Sequence, residues 1–86
     1  MSEEVKRMAA ALEEAVELQG KLGESFPHRC DVSWDPGTGM LAVRVFSDAS
    51  GVMDALKKHQ AAKNRGMDPV GPLLDGEMIC YYVPYY

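Results

Sequence analysis

The sequence predicts an α+β fold, with two helices packed on one face of a small antiparallel sheet in the order α-β-β-α-β. Three observations carry this. Residues 2–23 repeat apolar side chains at spacings of three and four, the period of a helix face. Two runs of strict alternation flank the turn Asp35-Pro36-Gly37-Thr38-Gly39. A second helical segment is followed by another alternating run at 77–83. The chain has 86 residues, 47% of them hydrophobic and 26% charged, which fits a single globular domain spanning 1–86.

The first helix is expected over 2–23. Ser2 is a suitable N-cap, and Glu3 and Glu4 sit where the helix dipole favours negative charge. Val5, Met8, Leu12, Ala15, Gln19 and Leu22 form the expected buried stripe, which Val16 widens. Gly23, or Gly20, supplies the stop. A hairpin follows at 29–46 with its turn at 35–39. Cys30, Val32 and Trp34 face one side together with Leu41, Val43 and Val45, which places Arg44 on the other side beside Asp31 and Ser33.

The second helix is expected over 49–65. Ser47, Asp48 and Ser50 compete for its N-cap, and Gly66 takes the position after its last turn. Its apolar face is thin (Val52, Met53, Leu56, then His59 or Gln60, and Ala62), so a lightly packed helix with a wet C-terminal half is expected. Met67–Gly76 carries two prolines and reads as part of a loop over 66–76, with a short extra strand near 70–74 as the alternative. The last strand, 77–83, alternates Ile79, Tyr81 and Val83 with Met78, Cys80 and Tyr82. Pro84 assigns it to a sheet edge or marks its end. This order is similar to a ferredoxin-like split unit without its first strand, an analogy of architecture that implies no activity.

Composition narrows the function classes. Nine basic against thirteen acidic residues give a net charge of −4, which disfavours broad binding to nucleic acid. The charge is unevenly placed. Residues 1–24 hold Glu3, Glu4, Glu13, Glu14, Glu17 and Glu24 against Lys6, Arg7 and Lys21, whereas 57–65 hold Lys57, Lys58, Lys63 and Arg65 and no acid. No apolar run is long enough to span a bilayer, and the acidic start lacks the pattern of a secretory signal, so a cytoplasmic protein is expected. Cys30 and Cys80 are read as reduced, buried side chains.

No motif carries catalysis. Gly37-Thr38-Gly39-Met40-Leu41-Ala42 matches a dinucleotide-binding pattern, but a strand follows it where that chemistry needs a helix N-terminus. His28, His59, Cys30 and Cys80 lack the paired spacing of a zinc site, and Cys30 has only His28 nearby to activate it. No catalytic residue, metal or cofactor is therefore assigned.

Two surfaces stand out as candidate partner-binding sites. All four tyrosines, Tyr81, Tyr82, Tyr85 and Tyr86, fall in the last six residues, and tyrosine is enriched at protein interfaces. Glu13, Glu14 and Glu17 give helix 1 an array of carboxylates suited to a basic partner. The sequence thus points to a non-enzymatic binding or regulatory protein that docks a protein partner, or a second copy as a homodimer. One form of this reading is a phage or mobile-element inhibitor of a nucleic-acid-handling complex, of the anti-CRISPR type, which rests on no residue motif. A weak RNA or DNA binder using Lys57, Lys58, Lys63 and Arg65 is the alternative from another class.

Overall fold

Hairpin chemistry organises the sheet. The computed structural model describes residues 3–26, 30–46 and 51–85. In chain order these form α1 (Glu3–Ser25), β1 (Cys30–Asp35), β2 (Met40–Val45), α2 (Val52–Ala62), β3 (Val70–Asp75) and β4 (Met78–Pro84). At the first turn the Asp35 carboxylate accepts from the Gly37 N–H at 3.1 Å and from the Thr38 hydroxyl at 3.0 Å. Gly39, at φ 71°, brings the chain back and donates to the Asp35 carbonyl at 2.9 Å. Pairing then runs Cys30 with Val45 through Asp35 with Met40, so Asp31 lies opposite Arg44.

The strand order is β1-β2-β4-β3, every neighbour antiparallel. On one face Val32, Leu41, Val43, Val45, Tyr81 and Val83 pack against Ala11, Ala15, Leu18 and Leu22 of α1 and Val52 and Leu56 of α2. The α+β class and the two helices on one sheet face are therefore as expected. The opposite face carries Asp31, Ser33, Ala42, Arg44, Cys80 and Tyr82.

Several expectations change. The extra strand is real and is β3, so loop remains only around 66–69 and at the Gly76–Glu77 turn. Its presence moves the last strand inside the sheet: β4 is not an edge, and Pro84 closes it opposite Met40. The edges are β1 and β3. α1 runs through Gly20 and Gly23 to Ser25, because neither glycine needs a positive φ and the helix keeps its packing as far as Leu22. α2 is shorter than 49–65, beginning after Gly51 (φ 82°) and ending at Ala62. The suggested caps Ser2, Ser47, Asp48 and Ser50 lie outside the described residues.

The phase of α1 also differs. Its buried stripe is Ala11, Ala15, Leu18 and Leu22, with Glu14 beside it; Ala15 and Leu22 are buried as expected, while Ala11 and Leu18 stand outside the expected stripe. Val5, Met8, Leu12 and Val16, expected in the core, are exposed. Two alanines in the buried stripe let the helix axis come close to the sheet, and the larger side chains fall on the flank. Gln19 lies exposed as a residue, yet its Oε1 accepts the Val32 N–H at 3.1 Å and occupies part of the open edge of β1.

The missing first strand is accounted for by topology. β2 and β3 run parallel with β4 between them, antiparallel to both, and α2 joins β2 to β3. That is a split β-α-β unit whose central strand comes from the end of the chain. The order is that of a ferredoxin-like unit whose first strand has moved to the C-terminal side.

Candidate functional site

The residues singled out by charge converge. At the end of α2, Asn64 takes a left-handed conformation (φ 56°), the Arg65 N–H donates to the Gln60 carbonyl at 3.0 Å, and the Asn64 N–H donates to the Ala61 carbonyl at 3.1 Å. These two bonds form a Schellman cap, in which Asn64 fills the place expected of Gly66. The cap folds Arg65 back toward α1, where both terminal guanidinium nitrogens donate to the Glu14 carboxylate. His59 Nε2 lies 3.0 Å from Glu14 Oε2.

Glu14 is only 8% exposed, and His59 only 4%. Burial alone raises the Glu14 pKa, but the bonds from Arg65 and His59 outweigh it and hold the carboxyl below its ordinary value of 4.5. An ionised Glu14 can only accept, so a neutral His59 carries its proton on Nε2. Its Nδ1 is buried and has no hydrogen-bond partner. In the C-terminal half of α2, Lys57, Lys58, Ala61 and Ala62 are exposed, as expected of a wet helix end, and both His59 and Gln60, of which one is expected on the inner face, are buried because they bond inward.

Gln60 extends the network to the end of the sheet. Its Nε2 donates to the Pro84 carbonyl at 2.9 Å and to the Met67 carbonyl at 3.1 Å, and its Oε1 accepts from Arg65 at 3.1 Å. The Arg65 guanidinium carbon lies 4.7 Å from the Tyr85 ring centroid, and Tyr85 meets Trp34 edge-on at 6.0 Å. On the surface beside this cluster, Lys63 Nζ reaches Glu17 Oε2 at 2.9 Å, and Lys21 Nζ lies 3.9 Å from Glu17 Oε1. The Lys63 bond lowers the Glu17 pKa and raises that of Lys63.

The acidic helix and the basic helix end are thus joined to each other. Of the expected partner-binding acids, Glu14 is buried, Glu17 is paired and Glu13 is exposed. Of the four cations, Arg65 and Lys63 are bound to carboxylates, and Lys57 and Lys58 are exposed. The tyrosines separate as well. Tyr81 is in the core, where burial raises its pKa; Tyr82 lies half-buried on the open sheet face; Tyr85 is half-buried against Arg65 and Trp34. Tyr86 and His28 lie outside the described residues.

Cys30 and Cys80 are buried and not joined in a disulfide, on opposite faces of the sheet with β2 between their strands. Burial, and then Asp31, pushes the Cys30 thiol up, away from the thiolate a nucleophile needs. Among the described residues there is no group of three or more His, Cys, Asp or Glu placed to hold a metal. No helix among them is long and apolar enough to cross a membrane.

Two surface features were not singled out from the sequence. The first is the outward stripe of α1, with Leu12 at 50% and Val16 at 75% exposure. Its signal is visible in hindsight: residues 11, 15, 18 and 22 form a second helical stripe beside 5, 8, 12 and 16, and a single helix face cannot bury both. The second is a groove of about 300 Å³ between the C-terminal halves of α1 and α2, with Leu18, Leu22 and Ala55 among its walls and His59 lining it. It joins residues more than thirty positions apart, which periodicity cannot pair. No protein-family model, no curated protein and no solved structure matches the chain.

Proposed function

We propose that this protein is a small non-enzymatic binding module that docks a protein partner through the outer side of α1. The observation that supports this reading is the row of exposed apolar side chains Val5, Met8, Leu12 and Val16 along one helix flank. A solvent-facing helix surface is ordinarily polar, and a contiguous apolar row on it is the commonest mark of a protein contact. The row fits an amphipathic helix of the partner, laid along α1 with its own apolar residues at spacings of three and four. Glu13 stands exposed on the same helix and would favour a partner with basic flanks. Two buried cysteines outside any disulfide suit a reducing, cytoplasmic setting.

This reading transfers the docking role from the tyrosine-rich end to α1, because Tyr81 is core and Tyr85 is engaged by Arg65 and Trp34. Only Lys57 and Lys58 remain unpaired of the four cations offered for nucleic-acid binding, too few for a phosphate-tracking surface. The test compares affinity capture from the source cell with the wild-type chain and with Leu12→Glu/Val16→Glu, and Tyr82→Ala as a control on the open sheet face. Partners retained by wild type and Tyr82→Ala but lost by the α1 double variant are expected. Capture indifferent to the α1 changes defeats the reading.

A further inference from the structure

We infer, on the reading that the outer side of α1 docks a helix, that its occupant is a second copy of this chain, with the two α1 helices antiparallel. The exposed row Val5, Met8, Leu12 and Val16 is itself an apolar helix stripe with spacings of three and four. It is therefore the kind of surface that fits it. The row is also nearly symmetric end for end. A two-fold axis between Met8 and Leu12 sets Met8 of each copy against Leu12 of the other, and Val5 against Val16. Those two registers differ by one residue, about 1.5 Å of helix rise.

Charge selects the antiparallel direction. Lys6 and Glu13 are exposed seven residues apart, close to two helical turns, so both stand on the solvent-side flank of the row. Antiparallel pairing about that axis brings Lys6 of each copy beside Glu13 of the other, as two reciprocal ion pairs. Parallel pairing would instead oppose lysine to lysine and glutamate to glutamate. A foreign helix would need an apolar row flanked by a base and an acid in this same order, and α1 already carries it.

The place of the row in the fold admits the second copy. α2 lies on the other side of α1, joined to it through Glu14 and its bond with His59. The row lies on the side that overhangs β1, where Gln19, three residues beyond Val16, accepts the Val32 N–H. β1 is an edge of the sheet, so among the described residues no strand stands outside it. Pairing α1 with α1 there extends the helical layer and draws the two β1 edges toward each other. One contact thus covers an apolar row and shields an open strand edge.

The experiment is sedimentation equilibrium of the full chain from about 5 to about 500 µM, since a contact built on one helix pair is small and belongs to the weak, transient class. A reversible monomer–dimer equilibrium is expected. Leu12→Glu/Val16→Glu should weaken it by about tenfold or more while keeping the circular dichroism spectrum of the parent. Lys6→Glu and Glu13→Lys should each weaken it by about fivefold, because either change turns both ion pairs into like-charge contacts. Combining the two reversals in one chain restores both pairs, and association should return to within about twofold of wild type. A chain that stays monomeric throughout overturns the inference. So does a dimer indifferent to the α1 changes, or one that the double reversal fails to restore. A monomer whose captured partners are still lost by Leu12→Glu/Val16→Glu defeats self-pairing alone and leaves docking on α1 standing.

Discussion

Glu14 receives two bonds from Arg65 and one from His59, and its carboxylate is what ties α1 to the end of α2. Because its pKa is lowered in the fold, the sign of its pH dependence is fixed: its contribution is complete above the ordinary carboxyl value of 4.5 and is lost as pH falls through the lower folded value. Denaturant titrations from neutral to acid pH should show this loss in wild type and a flatter profile in Glu14→Gln. At neutral pH the variant should be less stable by about 1.5–3 kcal/mol, the range for charge-assisted bonds, and the gap should narrow in acid. A gap that is constant with pH would show that the carboxylate's charge is not what matters. Gly71 is a second single-residue constraint. At φ 140° an added Cβ would stand 2.7 Å from Cδ1 of the buried Tyr81 ring and 3.0 Å from the Cys80 carbonyl. Gly71→Ala should cost about 1–3 kcal/mol by thermal or chemical denaturation, and a neutral effect would mean the strand end yields at no cost. Neither role is legible in the sequence. Glu14 looks like any acid on a polar helix face, and its partners lie 45 and 51 residues away.

The elements were more legible than their contacts. Alternation and turn chemistry gave the first hairpin to within a residue or two, because both signals are local. Helix periodicity locates α1 and places Ala15 and Leu22 in its buried stripe, but it misses the phase of the N-terminal half: Val5, Leu12 and Val16 outweigh Ala11 in hydrophobicity, whereas packing against a sheet rewards the small residues that let a helix approach. The assignment is checked by paired truncations. Leu18→Ala should cost about 2–5 kcal/mol, as a large-to-small change in a filled core does, while Leu12→Ala and Val16→Ala should stay within about 0.5 kcal/mol of wild type. Equal costs at positions 12 and 18 would reverse the phase. β3 was only an alternative in the sequence because Gly71 and Pro72 interrupt its alternation, although Leu73 and Leu74 still pair with Cys80 and Ile79. At the end of α2 the glycine signal, Gly66, falls two residues beyond the true stop. Asn64 bends the chain instead, so Asn64→Gly should be close to neutral and Asn64→Val should lose about 1–2 kcal/mol, the cost of a β-branched residue in the left-handed region.

At the scale of the whole molecule, the charge separation that suggests a bipolar protein is what closes it. Acid from α1 and base from the end of α2 meet, and Gln60 carries the junction on to the Pro84 carbonyl at the end of β4. The last strand therefore belongs to the centre of the fold, both in the sheet and in this network. Sequence order hid that, since a C-terminal strand followed by proline reads as an edge, and nothing local says which gap it fills. If β4 occupies the place of a first strand, the chain should also fold with β4 in front. Tyr85, just after β4, shares a surface hollow with Arg7, in the second turn of α1, so a short connection can bridge them. A circular permutant that starts at Gly76, links Tyr86 to Met1 through about four to eight Gly/Ser residues and ends at Asp75 keeps every strand pairing. Opening the β3–β4 turn costs loop-closure entropy that the new β4–α1 connection largely returns, so stability should remain within about 3 kcal/mol of the parent. Far-ultraviolet circular dichroism should match the parent and the thermal transition should stay cooperative. A permutant that is soluble but lacks a cooperative transition would show that β4 must be tethered to β3 to find its place, and that the equivalence to a first strand is one of geometry alone.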